Sequence, residues 1–295
     1  MYKRSIGEKI FDVILVIFFI LCAVIMTFPF YNVLMTSLVS RGEYYSRSLI
    51  LWPEKFYFTS YQFILSSDKL MRSMGVTVFV TLVGCAYSMF VTVMLAYGLS
   101  KKSLPGRNIF LSLILITMFF GGGLIPYYML VRSLGLINSV WVMIFPVGVS
   151  IWNFIIIKSF FNQIPESLEE SAKLDGANDF QVLWKIVLPL SLPVLATFTL
   201  FYGVEYWNTW WFALLFITDQ RLHPLQLVLR KMVVLNELPS QMQVGFNTTT
   251  GGRVDLFDDG IRMATVVVAT IPILCVYPFL QKYFAKGVLI GSLKG

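Results

Sequence analysis

Residues 169 to 189 read EESAKLDGANDFQVLWKIVLP, gathering acids, small side chains and one glycine in a chain that is 57% hydrophobic with a mean hydropathy of +0.74. Small side chains let another surface approach a helix closely, so this stretch offers docking rather than bond making. A second group, Glu205, Tyr206, Trp207, Asn208, Trp210 and Trp211, offers sugar recognition. Aromatic faces stack on the apolar faces of pyranose rings, and an amide supplies both donors and acceptors. The same aromatics also fit an interfacial belt or ordinary packing between helices, and both readings stay open at this point.

The elements that must hold these groups follow from composition. Only 13% of residues are charged while 16% are aromatic, which places the chain among membrane proteins. A hydrocarbon core needs about 20 apolar residues per helical span. Six stretches qualify, roughly residues 11 to 35, 74 to 98, 109 to 131, 138 to 161, 190 to 217 and 263 to 284. No ten-residue alternation of a transmembrane barrel is visible, so an all-α membrane protein of six transmembrane helices in a single domain, 1–295, is expected. The first span follows Lys3, Arg4 and Lys9. Its apolar run is too long for a signal core and lacks a small-residue cleavage site, so a retained helix is expected.

Basic residues in the short loops orient the chain. Lys3, Arg4 and Lys9 precede the first span, Lys101, Lys102 and Arg107 join the second and third, and Lys282, Lys286 and Lys294 follow the sixth. Positive residues stay inside, so both termini are expected on the cytoplasmic side. The long loops carry basic residues too, Arg41 and Arg230 among them, but long loops weigh little in this rule. The segment 162–189 then faces the cytoplasm and 218–262 lies outside.

Within 162–189, Pro165 suits a first helical turn, Glu166, Glu169 and Glu170 suit the positive end of the helix dipole, and Gly176 suits a left-handed cap. Asn178 or Asp179 can cap a second helix with Phe180, Leu183, Trp184 and Val187 on one face. Pro189 and Pro193 loosen the ladder at the entry to the fifth span. An amphipathic connector lying on the membrane is the plainer reading, but such anchors usually carry Lys or Arg on the polar face, and this one is acidic near its start.

Glu170, Ser171, Ala172, Asp175, Gly176, Ala177, Ile186 and Pro189 follow the pattern EAA, three positions, G, nine positions, I, one position, LP. This resembles the cytoplasmic loop of membrane subunits of bacterial ATP-binding-cassette importers, departing only at Ser171. YWNTWWFALLF at 206 to 216, HPLQLVLRKMV at 223 to 233 and YPFLQKYFAKGVLIGSLKG at 277 to 295 are similar to the maltose-type carbohydrate permeases. Among them, they look most like the second permease of complex-oligosaccharide importers.

That resemblance implies a type I importer permease fold and a non-catalytic subunit of a larger complex. Its partners would be a second permease, an ATPase dimer and an extracytoplasmic solute-binding protein, together importing an oligosaccharide by alternating access. The residues from Glu170 to Ala177 would form a coupling helix seated in the ATPase, moving the third to fifth spans. The tip of the outer loop, GFNTTTGGR at 245 to 253 with Gly245, Asn247, Thr248, Thr249 and Gly251, would enter the binding protein's cleft. Lys294 and Gly295 would reach between the ATPase subunits. No GxxxxGK[ST] occurs, so ATP and magnesium belong to the partner and this chain is expected to hydrolyse nothing and to need no cofactor.

Several features stand beside the resemblance. Glu205 sits inside the fifth span without an opposite charge nearby in sequence, a functional position by default, and it departs from the small residue more usual there. Facing a wet cavity, it would accept sugar hydroxyls and disfavour an anionic sugar laid against it; facing protein, it would be protonated or pair with the partner permease. Trp207 and Asn208 match the family motif and lead the sugar-path candidates, with Tyr206 and Trp211 beside them. Gly121, Gly122 and Gly123 suit close helix crossing more than a hinge. Cys22, Cys85 and Cys275 look like buried small hydrophobes, and His223 has no ligand-spaced partner for a metal. The net charge of +7 is scattered over loop ends, fitting lipid headgroups and not a nucleic acid. An ion-coupled secondary transporter would need inverted repeats or paired intramembrane charges, neither of which is visible. A non-sugar solute and a non-transporting scaffold remain as further alternatives.

Overall fold

The computed structural model describes residues 6–234 and 257–292. The described residues are helical, without a strand. They divide into two units, Met1–Asp68 with Lys231–Ile271, and Lys69–Arg230 with Pro272–Gly295.

In the first unit, α1 (Ile6–Thr36) turns its apolar side chains outward along most of its length. A helix that buries little of itself yet is apolar all round suits lipid or another subunit. Short helices α2 (Arg41–Ser46) and α3 (Thr59–Ser66) follow. Met35, Val39, Ile50 and Phe257 form a small core, and the Glu43 carboxylate, buried beside it, accepts from Arg47 at 3.2 Å and from the Glu54 amide at 2.9 Å.

The second unit holds α4 (Asp68–Ser100), α5 (Arg107–Phe119), α6 (Leu124–Ser133) and α7 (Ile151–Phe161). Next come α8 (Glu166–Leu174), α9 (Asp179–Val182), a π-turn at Leu183–Val187 and α10 (Leu188–Leu190). Then come α11 (Leu192–Trp207), α12 (Trp211–Phe216) and α13 (Leu225–Val234), and the last of the described helices lies further along the chain. That helix, α14 (Asp258–Ser292), contains Pro272 and Pro278.

Among the described residues, three helices are long and apolar enough to cross a membrane uninterrupted, Gly7–Thr36, Asp68–Ser100 and Asp258–Val276. The other expected spans are bent pairs: Arg107–Phe119 with Leu124–Ser133 at 119°, Val140–Val147 with Ile151–Phe161 at 46°, and Asp179–Leu190 with Leu192–Phe216 at 85°. The continuous helix expected at 109 to 131 is therefore interrupted. Close crossing does not explain its glycines, because a Cβ at Gly121 or Gly122 would meet nothing within 4 Å. Here the chain leaves the helix at Phe120, whose backbone is extended.

The third bend has a plain cause. Pro189 offers no N–H to the carbonyl four residues earlier, and the ladder loosens into a π-turn in which the Leu188 amide bonds Leu183. Ser191 then bonds back to Val187 through both its amide, at 3.0 Å, and its hydroxyl, at 2.7 Å. The expected outer loop 218–262 also contains regular structure, since α13 lies within it and α14 begins at Asp258.

Two cores hold the second unit together. One packs Val80, Val142, Ile144, Tyr202, Tyr206, Phe216 and their neighbours. The other packs Val93, Phe154, Ile157, Phe161, Leu183, Val187 and Phe198, and this one carries the 169 to 189 stretch. Cys22, Cys85 and Cys275 are free, and none is buried as expected: Cys22 and Cys85 are half-buried and Cys275 is exposed.

Candidate functional site

The stretch 166 to 189 folds as two helices about a tight turn. Gly176 has φ of +88°, a left-handed conformation open to glycine at little cost. Its amide bonds the Lys173 carbonyl at 3.0 Å, and the Ala177 amide bonds the Ala172 carbonyl at 2.9 Å. This pair of bonds is a Schellman close, satisfying carbonyls that the end of α8 leaves free. Ala172 and Ala177 meet the second core, so the two alanines of the motif sit on the inner side of the turn.

The next helix starts with a capping box. Asn178 accepts from the Gln181 amide at 2.9 Å while the Gln181 side chain accepts from the Asn178 amide at 2.9 Å. Of the two expected caps, Asn178 fills the role. The buried face differs from the expected one. Val182, Leu183 and Val187 enter the core, while Phe180 and Trp184 are 63% and 59% exposed. The π-turn adds a residue to its turn, which breaks the regular spacing on which the expected face rested.

On α8 the acids split between two faces. Glu166 pairs with Lys102 at 2.7 Å and Glu169 pairs with Lys101, both lysines following the end of α4. The Lys101 ammonium also lies 4.2 Å from the centre of the Tyr97 ring, and the Tyr97 hydroxyl donates to the Asp179 carbonyl at 3.3 Å. Lys173 bridges the turn to Asp179 at 2.7 Å. The Lys102 ammonium holds the Glu166 carboxyl below its ordinary range, and Lys173 does the same for Asp179. Glu170, Ser171, Asp175 and Gly176 stay exposed, as does Leu174 at 90%. An apolar side chain standing that far out on a polar helix is a docking signal, and Leu174 was not among the residues expected from sequence. Ile186 is half-buried and Pro189 exposed.

The second candidate group is divided by helix geometry. Tyr202 and Tyr206, four apart on α11, face Thr92 and Ser88, four apart on α4. Their hydroxyl pairs are 2.8 Å and 2.7 Å apart. The Tyr202 hydroxyl accepts from the Ser150 amide at 3.0 Å, and that of Tyr206 donates to the Ile144 carbonyl at 3.2 Å. Tyr206 is buried in this packing, and Trp207 is buried as well. Asn208 is exposed and donates to the Val204 carbonyl at 2.9 Å. Trp211 is half exposed, edge-on to Trp210, whose ring carries the Arg230 guanidinium at 3.8 Å.

Glu205 is placed differently. It lines a cavity of about 530 Å³ with Ser150, Asn153, Leu200, Phe201, Val204 and Ile273. Of the residues grouped with it from sequence, Glu205 alone is on this wall. Ser150, Asn153 and Phe201 were missed; the signal for Phe201 was its position four before Glu205, on the same face of α11. His223 is buried, with Nε2 3.2 Å from the Ile217 carbonyl. The loop tip with Gly245, Asn247, Thr248, Thr249 and Gly251, and the tail residues Lys294 and Gly295, lie outside the described residues.

Long and broken apolar helices joined by a polar hairpin mark a helical membrane protein. Residues 1–290 match the family described as binding-protein-dependent transport system inner membrane component, and the chain belongs to that family. It is 44% identical over 295 residues to Protein LplC of Bacillus subtilis, covering 100% of this chain and 98% of that one. It is 46% identical over 288 residues to the polygalacturonan/rhamnogalacturonan transport system permease protein YtcP of the same organism, covering 98% and 99%. A chain from the crystal structure of a bacterial ABC transporter involved in the import of the acidic polysaccharide alginate superposes with a TM-score of 0.89. That chain is 30% identical, with 96% of this chain and 100% of the other covered.

Proposed function

We propose that this chain is the permease subunit of an ATP-driven oligosaccharide importer of the bacterial inner membrane. It spans six times, the bent pairs each counting as one span, with both termini and the 162–189 hairpin in the cytoplasm. A solute-binding protein delivers the sugar, a second permease completes the path, and a partner ATPase supplies hydrolysis with its own ATP and magnesium. The names of the relatives support the sugar class.

The observation that carries the reading is the rigid hairpin. Its turn is closed by two backbone bonds, its second helix is boxed, and its inner face is fused to the helical core, while Glu170, Ser171, Asp175 and Leu174 point outward. A stiff element held this way transmits displacement to the core instead of absorbing it. Outside the membrane, the 218–262 segment contacts the binding protein, with the 245 to 253 tip entering its cleft, and the C-terminal Lys294 and Gly295 touch the ATPase.

Glu170→Lys tests this in the reconstituted complex. Glu170 is exposed, so the hairpin stays folded, and uptake should fall while ATP turnover is uncoupled or the ATPase no longer assembles. Unchanged ATP-driven uptake sinks the coupling role. Uptake driven by an ion gradient without ATP would mark a secondary transporter.

A further inference from the structure

The cavity on α7 and α11 carries a particular set of groups. Glu205 supplies a carboxylate, Asn153 an amide, Ser150 a hydroxyl and Phe201 an aromatic ring, with Leu200 and Val204 between them. No Lys, Arg or His lines it among the described residues. Glu205 is exposed in this chain, and a carboxylate, having no hydrogen to give, only accepts hydrogen bonds. Asn153 is mostly enclosed, its amide able to donate and accept, and the ring offers a stacking face.

We propose that this wall is a subsite for an uncharged pyranose unit, held through its hydroxyls, and that Glu205 is a specificity-determining residue that turns uronate carboxylates away from it. This rests on the transport reading above. Sugar hydroxyls donate to Glu205 and gain a charge-assisted bond. A uronate carboxylate in the same place brings a second acceptor and a like charge with no cation to offset either, and such juxtaposition discriminates between partners. Acidic oligosaccharides therefore pass only with their carboxylates directed at the partner permease.

The test uses the whole complex in proteoliposomes, with ATP inside the appropriate face and one binding protein throughout. Uptake of a neutral trisaccharide is compared with that of the uronate trisaccharide of the same linkage. Because the binding protein is common to all arms, its own preference cancels in the ratio of variant to wild type. Glu205→Gln keeps shape and removes charge, and should raise the uronate-to-neutral uptake ratio roughly tenfold. Glu205→Lys should raise it further, which separates charge from general damage. A ratio unchanged in both variants overturns the subsite while leaving ATP-driven uptake, and thus the transport reading, in place. Loss of ATP-driven uptake of every oligosaccharide in the wild-type complex overturns both.

Discussion

Lys101, the residue after α4, forms an ion pair with Glu169 on α8 and lies 4.2 Å from the centre of the Tyr97 ring. The pair is only partly exposed, unlike the neighbouring Lys102 and Glu166, which are both well exposed. Water screens the outer pair more, so the inner one is the firmer link between hairpin and α4. If the hairpin couples to an ATPase as proposed, the second span shares the path with the third to fifth expected from sequence.

Lys101→Glu should weaken this link by about 1 kcal/mol and lower transport per ATP hydrolysed. The double variant with Glu169→Lys restores the opposite charges but not the contact with Tyr97, so recovery should be partial. Coupling ratios measured in the single and double variants check this. A double variant no better than the single would mean that position, not pairing, matters at Lys101.

Gly176 gives a second prediction. Its Cβ would meet nothing within 4 Å, so crowding is not why glycine is there; the φ of +88° is. Gly176→Ala should destabilise the hairpin by about 1 kcal/mol. Gly176→Asn should cost less, because asparagine tolerates the left-handed region. Amide exchange at Ala177 and Asn178 reports the difference. Equal loss in both variants would point away from backbone conformation.

Much of this hairpin was legible because its devices are local. Caps, dipole acids and a left-handed glycine are written within a few residues of where they act. The buried face was not, since it depends on a π-turn that Pro189 imposes from downstream. Likewise, Glu205 was visible as an intramembrane acid, but its separation from Tyr206 was not. Which face of α11 meets α4 is decided by Ser88 and Thr92, more than a hundred residues away. The breaks in the third and fourth spans were hidden by their hydropathy, which counts residues and is blind to backbone direction.

The Lys173–Asp179 pair makes a pH prediction. Asp179 is held low by the Lys173 bond, and Lys173 is held high by the same bond. The stabilisation from Asp179 is present above the ordinary aspartate value of about 4 and is lost as pH falls through its depressed value. That from Lys173 is present below about 10.4 and is lost as pH rises through its raised value. Hairpin protection should therefore be flat across neutral pH. In Lys173→Met the Asp179 titration, followed by carboxyl NMR, should move up toward the ordinary range; a titration that stays put would mean the pair is not formed in solution.

The tyrosine ladder between α11 and α4 yields the last prediction. Tyr206 lies against Gly84, where an added Cβ would sit 2.6 Å from Cε1 of the ring, and its hydroxyl meets the buried Ser88. Tyr206→Phe keeps the ring but strips Ser88 of its partner, which should cost about 1 to 3 kcal/mol. Gly84→Ala keeps the hydrogen bond chemistry but drives backbone-borne carbon into the ring, and overpacking of this kind costs about 1 to 3 kcal/mol. Both lower thermal stability, yet they differ in remedy. Ser88→Ala added to Tyr206→Phe removes the orphaned hydroxyl and should recover part of the loss, whereas Ser88→Ala added to Gly84→Ala should make matters worse. Unfolding of the five variants in detergent, Ser88→Ala alone included, measures the coupling; additive losses in both pairs would mean that the hydroxyl contact between α4 and α11 contributes nothing.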